Sequence, residues 1–186
     1  DELTHFDEFG IYNNRDVRIS KQDSGKNISA SYVRAGFFEF ARVQPLTGRF
    51  IQAEDTAQGA TPVALISEEL WQSEFNRSDE ILSQTMELNG VITEVIGVMP
   101  KGYRFPNTAQ IWLPLMDSVL NLPANLSEPQ FAYARLKPGS NEQEAELELS
   151  QAVNQVYQQN VKLYDLPDVE KHVRLFTFQM AQTGGE

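Results

Sequence analysis

A mixed fold of short strands and a few helices is what this sequence predicts, and three stretches carry that reading. Residues 62–106 read as a strand, a short helix and a hairpin in succession. Residues 17–33 alternate in polarity on either side of a turn-forming cluster, and residues 140–157 carry the stripe of a helix with one buried face. Strand and helix periodicities therefore coexist in one chain.

From the start, Leu3, Phe6 and Phe9 recur at three-residue spacing among acidic side chains, which predicts a short amphipathic helix within residues 1–12. Val17-Arg18-Ile19-Ser20 alternates, Asp23-Ser24-Gly25-Lys26 has turn chemistry, and Asn27 to Val33 alternates again, the pattern of a β-hairpin. Gly36 to Ala41 then reads as a short helix whose Phe37, Phe38 and Phe40 belong to the core. Residues 44–50 are rich in turn formers, and Glu54 to Thr61 is a polar loop.

Val63 to Ile66 is a short apolar run suited to a buried strand. Ser67 follows as an N-cap, and Glu68 and Glu69 put negative charge in the first helical turn, where the helix dipole favours it. Leu70, Trp71 and Phe75 share one side of that helix. Asn89-Gly90, between Thr85–Leu88 and Val91–Val98, marks a hairpin, because a type I′ turn needs positive φ at both central residues. Trp71 and Phe75 are expected to pack against the 63–66 strand and the 91–98 arm, which makes Trp71, Phe75, Asn89 and Gly90 architectural. On that reading Trp71→Ala costs about 3–5 kcal/mol.

Ile111 to Leu115 reads as a strand ended by proline, with Trp112 as a core anchor, and residues 116–129 as a linker. Phe131 to Leu136 is a further strand, Lys137-Pro138-Gly139 a turn, and Ser140 with Gln143 a capping box. Ala145, Leu149, Ala152, Val153, Val156 and Tyr157 then form the apolar stripe, with Glu144, Glu148, Gln151, Gln155 and Gln158 on the wet side. Val173 to Phe178 alternates as a last strand, and 181–186 is a loose tail.

The formal net charge of -11 argues against a nucleic-acid partner, which needs a basic face, and against electrostatic docking on anionic lipid. The absence of cysteine rules out disulfides and thiolate chemistry. No apolar run approaches the ~20 residues of a membrane helix, and no stretch reads as a signal peptide. The chain opens at Asp1-Glu2-Leu3 without an initiator Met, which reads as a piece of a longer protein.

No catalytic, metal or cofactor site emerges. His5 and His172 are the two histidines, and neither has a partner at metal-ligand spacing. No Walker loop, dinucleotide fingerprint or nucleophile elbow is present. The carboxylate pairs Glu54/Asp55, Glu68/Glu69 and Asp79/Glu80 are adjacent in sequence, so their side chains diverge and form no facing dyad. Asn27, Asn76 and Asn125 begin N-x-S triplets, which matter only in a eukaryotic secretory setting.

Short motifs in a fixed order say more. They run Tyr32-Val33, Gly36-Phe37-Phe38, Val43 to Phe50 (VQPLTGRF), Pro62 to Ser67 (PVALIS), Leu70-Trp71 and Phe75. Met86 to Gly90 (MELNG), Val95 to Pro100 (VIGVMP), Gly102 to Pro106 (GYRFP), Ile111 to Leu115 (IWLPL) and Ala134 to Gly139 (ARLKPG) continue the series. Together, over about Asn27 to Val156, they resemble the MacB-type periplasmic core domain of FtsX-like ABC-transporter permeases.

The resemblance implies an α+β, two-lobed module on the periplasmic face of a bacterial inner membrane. A porter-like lobe would comprise residues 1–43 and 115–180, with an inserted Sabre-like lobe over 44–114. It implies a non-catalytic fragment that neither binds nor hydrolyses ATP. The implied partners are an ABC ATPase domain or subunit, a second permease copy and a periplasmic adaptor protein, with flanking transmembrane helices outside this sequence. Cytoplasmic ATP hydrolysis would be coupled to periplasmic movement, and Tyr103 and Phe105 in the inserted lobe are the candidate contacts for cargo or adaptor. The alternative function is a periplasmic ligand-binding or sensory module without a transport role.

Overall fold

The alternation over residues 17–33 folds as a long antiparallel hairpin. Strand β1 (Phe6–Lys21) pairs with β2 (Ser24–Val33) from Tyr12↔Val33 to Lys21↔Ser24. Ser24 and Gly25, expected in the turn, are already in the ladder opposite Lys21 and Ser20. The computed structural model describes residues 3–21, 24–38, 43–106, 108–116, 131–164, 173 and 175. Phe40, His172, the 117–129 linker, the 181–186 tail and most of the predicted last strand lie outside the described residues.

The expected N-terminal helix is instead the first part of β1. Phe6 is buried while Phe9 is 43% exposed, their rings in contact at 5.2 Å between centroids. A helix would also have carried Gly10 in its interior, at a cost of about 0.5–1 kcal/mol relative to alanine.

The strands beyond the hairpin close on it. β2 runs parallel to β7 (Ile111–Pro114), and β7 is antiparallel to β4 (Val63–Ser67). β4 runs parallel to β6 (Val91–Met99), β6 is antiparallel to β5 (Thr85–Leu88), and β5 is antiparallel to β1. The path β1-β2-β7-β4-β6-β5 thus returns to β1 as a six-stranded barrel. β3 (Thr47–Gly48) adds to β6 from outside, and β8 (Phe131–Leu136) follows β1 in the strand order.

Alternate residues of each strand face the barrel interior and fill it: Val17 and Ile19, Ile28 and Ala30, Ala64 and Ile66, Met86 and Leu88, Val95 and Val98, Ile111 and Leu113. Helix α1 (Glu68–Phe75) begins where β4 ends and contributes Leu70, with Trp71 and Phe75 half-buried against the same core. Ser67 caps α1, its hydroxyl accepting from Leu70 N at 3.1 Å. The inward pair on β6 is three residues apart because the register passes from Ala64↔Val95 to Leu65↔Gly97, leaving Ile96 as a bulge. Gly97 is required there, since a Cβ would stand 2.8 Å from the Arg49 carbonyl oxygen.

The opposite strand face carries a second core. Tyr12, Val33, Leu65, Met99 and Trp112 point outward and are covered by Phe37, Phe38, Ile51, Phe105 and Ala109. Buried on both faces, β4 reads as a continuous apolar run.

The barrel seam is short. Between β1 and β5 the ladder consists of Ile19↔Leu88 and Ser20↔Glu87. Asn89 extends it: its N–H donates to the Arg18 carbonyl at 2.9 Å, and its Oδ1 accepts from Arg18 N at 2.8 Å. Asn89 and Gly90 hold φ of 50° and 84°, the positive values a type I′ turn demands.

The chain divides into two compact units, Gly10–Asn121 with Pro129–Tyr133, and Asp1–Phe9 with Leu122–Glu128 and Ala134–Glu186. This differs from the expected split at residues 43 and 115. The β1–β5 and β2–β7 pairings make the hairpin part of the barrel wall, so residues 10–33 cannot be separated from 63–114.

In the smaller unit, α2 (Glu142–Tyr164) is capped by Asn141, whose Oδ1 accepts from Gln143 N at 2.8 Å. Ser140, the expected cap, instead donates its hydroxyl to the His5 carbonyl at 3.1 Å. Ala145 is fully buried, but Val153 and Val156 are 37% and 58% exposed, so the covered face of α2 is narrower than its apolar stripe.

Replacing Asn89 by glycine keeps the turn geometry but removes the acceptor for Arg18, and is expected to cost about 1 kcal/mol. Asn89→Ala adds a left-handed penalty of about 1–2 kcal/mol. Urea unfolding should rank the stabilities wild type, then glycine, then alanine; equal values for the two variants would remove the conformational part of this assignment.

Candidate functional site

The carboxylate pairs resolve into separate structural tasks. Asp55, only 9% exposed, takes both guanidinium nitrogens of Arg49 at 2.6 and 2.9 Å, and its carboxyl is held below the usual range by that bond above all. Glu68 pairs with Arg77 at 2.7 Å, whereas Glu69 accepts from Gly102 N at 3.1 Å. Asp79 and Glu80 are exposed. Among the described residues no group of three or more His, Asp or Glu side chains is placed to hold a metal ion.

The densest polar cluster lies in the smaller unit, around Glu148. Its carboxylate accepts from Thr4 Oγ1 at 2.6 Å, Thr4 N at 2.7 Å and His5 N at 3.1 Å, and meets His5 Nδ1 at 3.0 Å. The other ring nitrogen of His5 is 3.6 Å from Glu144. These hydrogen bonds, those from Thr4 foremost, pull the Glu148 carboxyl down to about 2. The sequence pattern had assigned Glu148 to the wet face of α2; it is instead the anchor of the N-terminal segment. The same helix receives chain from the other end: Val173 N donates to Ser150 Oγ and Leu175 N to Glu146, both at 3.1 Å.

The two expected contact residues are placed differently. Phe105 is 6% exposed, stacked on Phe37 at 5.3 Å and tilted against Tyr133 at 4.7 Å, so it has almost no surface to offer a partner. Tyr103 is half-buried beside Trp112, 5.5 Å between centroids, and burial pushes its hydroxyl pKa up. Trp112 is fully buried and donates its indole N–H to the Phe105 carbonyl at 2.8 Å. Trp71 is half-buried, with Nε1 on the Ser78 carbonyl at 3.0 Å and the Arg77 guanidinium 5.2 Å over its ring.

Exposed apolar side chains that sequence reasoning passed over are Leu46, Leu82, Val91 and Ile92, between 46% and 59% exposed. Val91 and Ile92 had a visible signal. Two consecutive large apolar residues directly after Asn-Gly cannot both face inward on a strand.

The sequence profile of the MacB-like periplasmic core domain matches residues 8–152. The chain belongs to this family. It is a periplasmic domain of the MacB/FtsX-like ABC-transporter permease type. Its α+β fold is similar to the crystal structure of the periplasmic region of MacB from Actinobacillus actinomycetemcomitans, with TM-score 0.65 and 12% identity over 84% of this chain and 70% of that one. The extracellular domain of the noncanonic ABC-type transporter YknZ from Gram-positive bacteria superposes with TM-score 0.66 and 13% identity, over 84% and 79% of the two chains. A domain of a putative permease from Porphyromonas gingivalis gives TM-score 0.59 and 15% identity, over 96% and 79%. No curated protein matches the sequence. Among the described residues no helix is long and apolar enough to cross a membrane.

Two outcomes follow for this MacB-like domain. Trp112→Ala empties a fully enclosed site and should cost about 3–5 kcal/mol, against roughly half that for the half-buried Trp71, as read by denaturant unfolding. Glu148 has a depressed folded-state pKa, so its contribution is complete above the ordinary carboxylate range and disappears as pH falls toward about 2. The stability gap between wild type and Glu148→Gln should therefore be flat near neutrality and shrink steadily below about pH 4.5; a gap independent of pH would contradict the carboxylate's role.

Proposed function

We propose that this domain converts movement of a permease's membrane helices, driven by ATP hydrolysis in a separate ABC ATPase domain or subunit, into a conformational change on the periplasmic side. The observation that carries the reading is the convergence of both ends of the chain on α2. Thr4 and His5 are bonded to Glu148, and Val173 and Leu175 to Ser150 and Glu146, within little more than one helical turn. A displacement entering from either side is thus delivered to one helix, as rigid-body coupling requires. The domain takes no chemical step in this scheme.

In a transporter with two permease copies, contact with cargo or an adaptor protein then falls to the exposed apolar side chains of the barrel unit, Val91 and Ile92 above all. Phe105 is too deeply buried for that task.

The reading is tested in a full-length permease reconstituted with its ATPase. Glu148→Ala combined with Ser150→Ala cuts one bond set at each end of the chain. Transport should fall about fivefold or more, the low end of ordinary coupling energies, while ATP hydrolysis continues. Wild-type transport by the double variant would rule out this route.

A further inference from the structure

The two ends of the barrel are finished differently. Where β4 ends, α1 covers the interior with Leu70, Trp71 and Phe75. Where β4 begins, the strand ends leave a cleft of about 260 Å³. Its walls are Val63, Leu88, Leu113 and Met116, with Tyr32 and Thr93 among them and the loop Ala60–Pro62 at the rim. Val91 stands at the opening with about half of its surface exposed.

Three of the polar side chains lining this cleft, its carboxylate among them, are already committed to the protein. Asp55 is held by both nitrogens of Arg49, Asn89 Oδ1 accepts from Arg18 N, and Thr93 donates its hydroxyl to the Val91 carbonyl at 3.2 Å. Tyr32 presents a ring, with the Arg15 guanidinium 5.5 Å from its centroid, and burial raises its hydroxyl pKa so that it stays neutral. A charged guest entering here would surrender its hydration and find no free counter-charge among these groups. An apolar guest would surrender nothing and gain the walls. The space is ample, since an apolar cavity of about 150 Å³ already holds benzene. Mouths of barrels are also where small-molecule sites recur.

We propose that the open end of the barrel binds a small, uncharged, apolar molecule, with a ring-sized group seated against Leu88 and Leu113 and shielded by Val91. The site belongs to the barrel itself and does not depend on the coupling role of α2.

Methyl-labelled protein titrated with toluene and, separately, with benzoate tests this. Toluene should shift the Val63, Leu88, Val91 and Leu113 methyl resonances saturably, and benzoate should bind at least about tenfold more weakly. Ala60→Trp fills the opening from a rim loop and should weaken toluene binding by about tenfold or more with the unfolding midpoint unchanged. If that variant is unstable, Val91→Asp places a charge on the exposed rim and should have the same effect on binding. The site is overturned by any of four results: no saturable shift, shifts spread equally over Leu46, Leu82 and Leu147, benzoate binding as tightly as toluene, or toluene binding unaffected in a folded rim variant.

Discussion

The barrel depends on a seam two residue pairs long. An open sheet ending at β1 and β5 would leave two rows of unpaired N–H and C=O groups, which invite pairing with other chains. Ile19↔Leu88 and Ser20↔Glu87 remove those edges, and Asn89 completes the closure by exchanging two hydrogen bonds with the Arg18 backbone. Asn89 can do so because it tolerates the left-handed backbone of the turn and carries a side-chain oxygen short enough to turn back onto β1. The residue that makes the hairpin therefore also shuts the barrel.

Closure explains the arrangement of the two cores. Inward residues from all six barrel strands fill a narrow interior, and the outward faces of β2, β4 and β7 are buried under an aromatic layer. The Ile96 bulge lets β6 serve both sides, turning Val95 and Val98 inward while bare Gly97 admits the Arg49 backbone. The smaller unit is built differently. Beside the buried Phe6 and Ala145, it relies on directed polar contacts: a carboxylate, a hydroxyl and a second carboxylate on α2 gripping backbone from both sides. A densely packed barrel and a helix held by a few hydrogen bonds are suited to different work, the first to presenting a fixed surface, the second to receiving displacement.

What was legible in the sequence was local. The Ser67 cap, the 63–66 run and the Asn89-Gly90 turn each announce themselves within a few residues, and all lie where expected. The ordered motifs likewise led to the right family. Closure was not legible, because it pairs residues about seventy apart in β1 and β5, and no local pattern encodes such a contact. Glu148 was misplaced for the same reason: a glutamate between polar neighbours on a helix reads as solvated until Thr4, 144 positions away, supplies its donors. The N-terminal segment failed differently. Three-residue apolar spacing suits a helix, yet the segment runs as the first part of β1, with Phe6 buried and Phe9 exposed. Tyr103 and Phe105 were candidate contacts through their place in the implied inserted lobe, whereas the rings fold back over Trp112 and Phe37.

The β1–β2 hairpin and the strands of 63–114 form one closed cooperative body. Native-state amide hydrogen exchange of this chain tests it most directly, because amides that open together report a common free energy. Interior ladder amides of β2, such as Ile28 and Ala30, should exchange through the same global opening as Leu65 and Val95, with the Arg18 amide at the seam close behind. Exchange of β1 and β2 through a separate opening of much lower free energy, with β4 and β6 still protected, would contradict it and return the hairpin to an independent lobe.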